Sequence, residues 1–312
     1  MPRLTFPALL CCAALSPALA APAPTPAYDL SVAGWVSKRG THLMVQVNPY
    51  GPLRHTSENL GGSAPFRNLA RLLPLSAPNL NVICKVGSQT LTVRTDQEGH
   101  ARCNLATSGA VKVSLENGEE VTPDIPTLPD APITVISDLD DTVLITGVPQ
   151  GRAFSTFLKA TVSNRVAFPD IAPLYNSFAA KGWPIVYLSN SPLGLADFLR
   201  EVLPARGLPT GPLVLRPLDW QTLRQKILHK TQALNELAAD LPGPFLLIGD
   251  TGEQDPEVYT AFAKAHPGKV AGIALRDVAG AKRRAGVVAL TASAGVPVVV
   301  SQDAADFASL VR

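Results

Sequence analysis

The rhythm of hydrophobic and polar positions changes near residue 133. Over residues 28–121 the apolar positions come in short alternating runs. Met44, Val45, Gln46 and Val47, then 82–86, 91–93 and 111–115, show the period of strands with one face buried. Gly87, Gly99, Asn117 and Gly118 mark turns between them. The pattern predicts a small β-sandwich-like domain over 28–122. Pro123, Pro126, Pro129 and Pro132 then predict a stiff, extended linker over 123–132.

From 133 onward, short apolar runs alternate with stretches of helical period. The runs are 133–136, 185–188, 213–215, 245–248 and 270–275. That alternation predicts an α/β domain over 133–312, a parallel sheet with helices on both faces. Residues 296–300 add a further strand and 304–311 a closing helix. In such folds ligands bind at the carboxyl ends of the strands.

Composition narrows the class. The 312 residues are 46% hydrophobic and 17% charged, an ordinary globular balance with room for two cores. A formal net charge of +2 argues against a nucleic-acid partner, which usually needs a strongly basic face. Residues 1–20 read as a secretory signal: Arg3, an apolar stretch over 4–15, and the small-x-small pattern of Ala18, Leu19 and Ala20. Residues 21–27 form a flexible leader. The expected protein is exported, to the periplasm or beyond. Cys84 and Cys103 remain after cleavage, and in an oxidising compartment they either pair or stay as two buried thiols; pairing is the expectation.

Each strand end offers chemistry. After 133–136 come Ser137, Asp138, Leu139, Asp140, Asp141 and Thr142. Carboxylates crowded at the end of a buried strand repel one another unless a cation lies among them, and Mg²⁺ is the simplest choice. A calcium EF-hand loop does not fit, because its sixth position is Val143 and its twelfth Pro149. The run 185–188 leads into Ser189, Asn190, Ser191 and Pro192, and 245–248 into Gly249, Asp250 and, further on, Asp255. Between these lies an expected helix over 221–241. Its apolar face is Leu223, Ile227, Leu234, Leu237 and Leu241, with Lys230 inside that face and Lys226 at its edge. A lysine in a buried stripe requires an anionic partner.

These motifs resemble the four of the haloacid dehalogenase superfamily, in order and at strand ends. DLDDT at 138–142, YLSNSP at 187–192, His229 with Lys230, and LIGDTGEQDPEVY at 247–259 look like the Mg²⁺-dependent phosphatidate phosphatases of the actin-patch-protein type. The resemblance implies a Rossmann-like sheet with a small cap insertion over about 146–182, and an aspartyl-phosphate mechanism. It makes Asp138 the nucleophile and Asp140 the acid and base. Mg²⁺ is held by Asp138, the Asp140 carbonyl, Asp250 and Asp255, and the phosphoryl group by Ser189 and Lys230, with Thr142 on the phosphate or fixing the loop. Asp141 is expected to be a structural or solvated acid, and Asn190 and Ser191 to shape the turn. In the cap segment Phe154, Phe157, Leu158 and Thr161 fall at helical spacing. Lys159, Asn164 and Arg165 are polar candidates for the pocket, and Phe154, Lys159 and Arg165 for a peripheral membrane contact. The expected substrate is phosphatidate. The alternatives are a soluble phosphomonoester, or an exported binding protein with an idle second domain.

Overall fold

The computed structural model of the protein describes residues 28–49, 68, 77–116, 120–147, 159–217 and 226–311. The signal and leader, Asn117, Gly118, Phe154, Phe157, Leu158 and Leu223 lie outside the described residues.

Six strands form the parallel part of the structure. β9 (Thr134–Ser137), β10 (Ile185–Pro192), β11 (Leu213–Arg216), β12 (Phe245–Asp250), β13 (Val270–Arg276) and β14 (Val298–Ser301) lie in the order β14-β13-β12-β9-β10-β11. β9 is the first of them in the chain and is central. The chain builds outward from β9 through β10 to β11, then crosses to β12, beside β9 on the other side, and builds outward to β14. The carboxyl end of β9 is therefore the point where strand order reverses, the place at which such sheets open a crevice.

Both faces are covered. Val135 packs on one side with α1 (Ile171–Ala180), α2 (Ala196–Ala205) and Phe307. Ile136 packs on the other with α3 (Lys226–Asp240), α4 (Asp255–Ala265) and α5 (Ala281–Thr291). All four residues of β9 are buried, which explains why its sequence lacks alternation. The helix α1 falls within the segment read as a cap, yet its Ile171, Leu174, Tyr175 and Phe178 belong to the core. The last segment, Ala304–Val311, is a 3₁₀ helix.

The N-terminal strands are not set apart from this sheet. β1 (Asp29–Ser37) pairs antiparallel with β11, Gly34 opposite Leu213. β2 (Thr41–Asn48) and β5 (His100–Leu105) follow, so that nine strands share one run of the sheet and a short tenth pairs beside it. Residues 123–132, read as a linker, carry the short strand β8 (Thr127–Leu128), which pairs parallel with β1. The reason lies in β1 itself. Its Ala33 and Trp35 face the two helical cores, while Leu30, Val32 and Val36 face a second sheet. That sheet has four strands, β3 (Asn81–Val86), β4 (Gln89–Arg94), β6 (Val111–Leu115) and β7 (Glu120–Val121), in the order β4-β3-β6-β7. Trp35 donates its Nε1 hydrogen to Asp240 at the end of α3, 2.9 Å away, which satisfies a buried indole and ties β1 to that helix.

Cys84 on β3 and Cys103 on β5 are joined by a disulfide, which links the two sheets through a fully buried position. Replacing both cysteines by alanine is expected to lower unfolding free energy by about 3 kcal/mol. Urea denaturation with tryptophan fluorescence measures this; an unchanged midpoint would show that the sheets hold together without the bond.

Candidate active site

Three carboxylates meet at the reversal point. Asp138 follows β9 directly, Asp250 ends β12, and Asp255 opens α4. Oxygen atoms of all three lie within 4.8 Å of one another, and all three residues are buried. Gly249 makes this packing feasible: a side chain there would meet the Asp255 carboxylate at 2.3 Å. Lys230 comes from α3 and is 2% exposed. Its ammonium donates to Asp138 Oδ1 at 2.8 Å and to Asp255 Oδ1. The structure thus places Lys230 in the buried stripe. Ile227, read as part of the same stripe, is exposed, while Leu234, Leu237 and Leu241 are buried. Among the described residues of that face, burial sets in at Lys230, one turn after Ile227.

Electrostatics follow from the count. With every group ionised, three carboxylates and one ammonium leave a formal charge of −2 in a buried space. Burial drives the Asp138 carboxyl well above its ordinary value; Lys230 opposes this, and Asp255, Asp250 and Asp140 reinforce it. Asp250 is pushed up to about 8, by burial first and by Asp255 second, although the amides of Gly252 and Glu253 donate to its Oδ1. Burial also raises Asp255, against the pull of Lys230. For Lys230 burial alone would lower the value, but Asp138 and Asp255 outweigh it and hold the ammonium charged. The four groups retain more protons than they would in water, the mark of excess negative charge. Asp138 Oδ2 and Asp250 Oδ2 are buried without a hydrogen-bond partner. Two orphaned carboxylate oxygens in a pocket of charge −2 fit a hard divalent cation.

A second cluster surrounds Asp140. Its Oδ2 accepts hydrogen bonds from Ser189 Oγ at 3.1 Å and Ser191 Oγ at 2.7 Å. Ser189 Oγ in turn accepts from the Ser191 amide at 2.9 Å. Arg165, nearly fully buried, lies 3.8 Å from Asp140 Oδ1. Ser191 therefore does more than shape a turn. The S-x-S spacing carries a signal for this, since residues two apart on an extended strand face the same side. Of the cap candidates, Arg165 reaches the site. Asn164 is exposed and donates to the Lys159 carbonyl, and Lys159 is exposed. Thr161 hydrogen-bonds within the same turn.

Asp141 is structural. It adopts a left-handed conformation, φ 56°, and its carboxylate accepts from the Thr146 amide, the Thr146 hydroxyl and the Gly147 amide. Those bonds offset the conformational cost and fold the chain back over the site. Thr142 is fully buried; its hydroxyl lacks a hydrogen-bond partner, and its carbonyl accepts from Arg276 Nε at 3.1 Å. Arg276 also forks onto Asp170 and the Gln302 carbonyl. His229, beside Lys230, has its ring against the backbone of Ser189 and Val214; burial first, then Arg216 and Lys230, lower it to about 4, so it is neutral.

A parallel sheet that gathers a lysine and three carboxylates at its reversal point defines an α/β protein with an acidic, cation-ready strand-end centre. Residues 133–277 match the family described as the catalytic domain of phosphatidate phosphatase APP1, and the match spans the segment that carries the motifs. The chain is 27% identical over 256 residues to "Phosphatidate phosphatase APP1" of Saccharomyces cerevisiae, covering 78% of this chain and 40% of that protein. It is 28% identical over 164 residues to an uncharacterized protein of Schizosaccharomyces pombe, covering 50% of this chain and 27% of that one. The chain thus spans well under half the length of these curated relatives. A solved structure described as a carbohydrate acetylesterase from Xanthomonas citri aligns over 86% of this chain and 66% of its own, at 13% identity and a TM-score of 0.32, too low to carry an argument.

The raised Asp250 carboxyl makes metal-free stability depend on pH. A folded value of about 8 against an ordinary 3.8 means that the folded state binds the proton more tightly. Stability should fall as pH rises across that window and level off above it. Melting temperatures in chelator, from acid to pH 8, are expected to decline less steeply for Asp250→Asn and to recover in the wild type when Mg²⁺ is added. A parallel decline in both proteins would refute the assignment.

Proposed function

We propose that the chain is a Mg²⁺-dependent phosphatidate phosphatase that hydrolyses a lipid phosphomonoester through an aspartyl-phosphate. The observation that supports it best is the buried carboxylate cluster with its orphaned oxygens, inside the segment that matches the APP1 catalytic family. Asp138, Asp250 and Asp255, with the Asp140 carbonyl, would hold the cation, which when bound supplies charge neutralisation for an anionic nucleophile meeting an anionic phosphate.

The chain's own residues supply the rest. Asp138 attacks phosphorus, and its negative charge is formed within reach of Lys230, which orients the attacking carboxylate. Ser189 and Lys230 present hydrogen-bond donors to the phosphoryl oxygens. Asp140 gives a proton to the departing glycerol oxygen, then takes one from the water that opens the aspartyl-phosphate. With the Ser189 hydroxyl turned to the phosphoryl group, that of Ser191 stays on Asp140 Oδ2 and leaves Oδ1 to carry that proton. Export by the N-terminal signal would bring the enzyme to a membrane leaflet from outside the cytoplasm. Among the described residues no helix is long and apolar enough to cross a membrane.

Phosphate release by the purified protein, measured over lipid and soluble phosphomonoesters, tests the reading; turnover of soluble esters with none of phosphatidate would overturn the lipid assignment. Asp138→Asn should lower kcat about a thousandfold or more. Chelator should abolish turnover and Mg²⁺ restore it, with Ca²⁺ a poor substitute because its larger, looser coordination misplaces the phosphate. Full activity in metal-free buffer would remove the metal from the mechanism.

Ser191→Ala should slow alkyl phosphates about tenfold, the worth of one hydrogen bond to a charged group. Aryl phosphates with good leaving groups need little help from an acid and should be affected less. An equal loss on both would show that Ser191 does not act through Asp140.

A further inference from the structure

A cleft of about 220 Å³ runs beside α3 on the side away from α4. Leu228, Gln232 and Ala233 of α3 form one wall, Trp35 of β1 and His42 of β2 the other, and Val214 of β11 lies beneath. The N-terminal strands are therefore half of its lining. Its charged groups are engaged. Arg102 is held by both carboxylate oxygens of Glu236, at 2.9 and 3.0 Å, across the cleft from β5 to α3. Arg216 directs its Nε to the Asn190 carbonyl. What the cleft offers a ligand is mainly apolar surface.

Its position relates it to the carboxylate centre. Leu215 stands opposite Ser189 in the β10–β11 pairing, and Arg216 opposite Pro192. His229 lines the cleft, while Lys230, the next residue, points to Asp138 and Asp255. Successive helical residues diverge by about 100°, so Leu228 and Gln232, each two positions from Lys230, face the other side of the first turns of α3 from the phosphoryl site. At the mouth, Ile227 and Leu228 are 44% and 56% exposed, among the few large apolar side chains so exposed in the described residues.

We propose that this cleft is an acyl-chain subsite, in which the part of one fatty acyl chain nearest the glycerol of the substrate lies between α3 and β2. The inference rests on the lipid-phosphatase reading above and adds the place where the lipid is recognised. A phosphate bound by Lys230 and Ser189 leaves the rest of the lipid to find apolar surface close by, and the cleft supplies it on the far side of the same helical turn. Ile227 and Leu228 then stand where the remaining chain emerges towards the membrane.

The test uses phosphatidates soluble as monomers, with butanoyl, hexanoyl and octanoyl chains, and the ratio of kcat/KM between the longest and the shortest. That ratio is insensitive to any loss of catalytic power shared by all substrates. Each methylene buried is worth about fourfold, so the wild-type ratio should be at least about tenfold. Gln232→Trp, which fills the cleft from an exposed position, and Leu228→Asp, which makes its mouth polar, should each bring the ratio towards one. A wild type that hydrolyses phosphatidates without chain-length preference, or variants that keep the wild-type ratio, would overturn the subsite and leave the enzyme a phosphatidate phosphatase. A wild type that hydrolyses aryl phosphates but no phosphatidate would overturn the lipid reading, and the subsite with it.

Discussion

The structure is built around a charge imbalance that the described residues leave unbalanced. Asp138, Asp250 and Asp255 are brought together out of water, and a single ammonium, that of Lys230, is buried with them. A buried ion pair is weak support for stability because desolvation offsets attraction. A buried cluster with two carboxylates in excess is worse than neutral. Such a site persists because the sheet holds it in place. Every residue of β9 and β12 is buried between two helical layers, and the same strands deliver Asp138 and Asp250. The packing that stabilises the fold thereby imposes the strain that a cation relieves.

Division of labour between the helical layers follows. Lys230 and Asp255 come from α3 and α4 on one face. Arg276, itself held by Asp170, donates from the other side to the Thr142 carbonyl of the loop after β9. Asp141 and Thr146 close that loop on itself. Asp138, Asp140, Ser189 and Lys230 thus rest on different supports. Loosening one side would disturb some of them and spare others.

Much of this could be read along the chain, and the reasons for the rest are physical. The parallel strands were legible because each is a continuous apolar run ending in polar residues, and the carboxylates and Lys230 because they interrupt apolar surroundings. The placement of β1 was not. An alternating strand announces that it has two unlike faces, but not that both will be covered, as Trp35 and Val36 are, by different cores. The role of Ser191 was obscured because a serine before a proline has an adequate local explanation. Arg165 was legible as a candidate only, since its partner Asp140 lies far away in sequence. Ile227 was misassigned because helical periodicity says which residues share a face, not how far along the helix that face stays covered.

The pairing of β1 with β11 also bears on how the protein avoids its own kind. β11 is the last strand of the parallel set on its side, and on its own it would present a row of free amides and carbonyls to any extended chain nearby. β1 lies along that border and pairs with it at Gly34 and Leu213, and β2 and β5 continue outward from it. The N-terminal strands therefore act as a guard on an otherwise adhesive border, as well as one side of a cleft. A catalytic segment without them would keep its carboxylates and its lysine and lose its protection against edge-to-edge association.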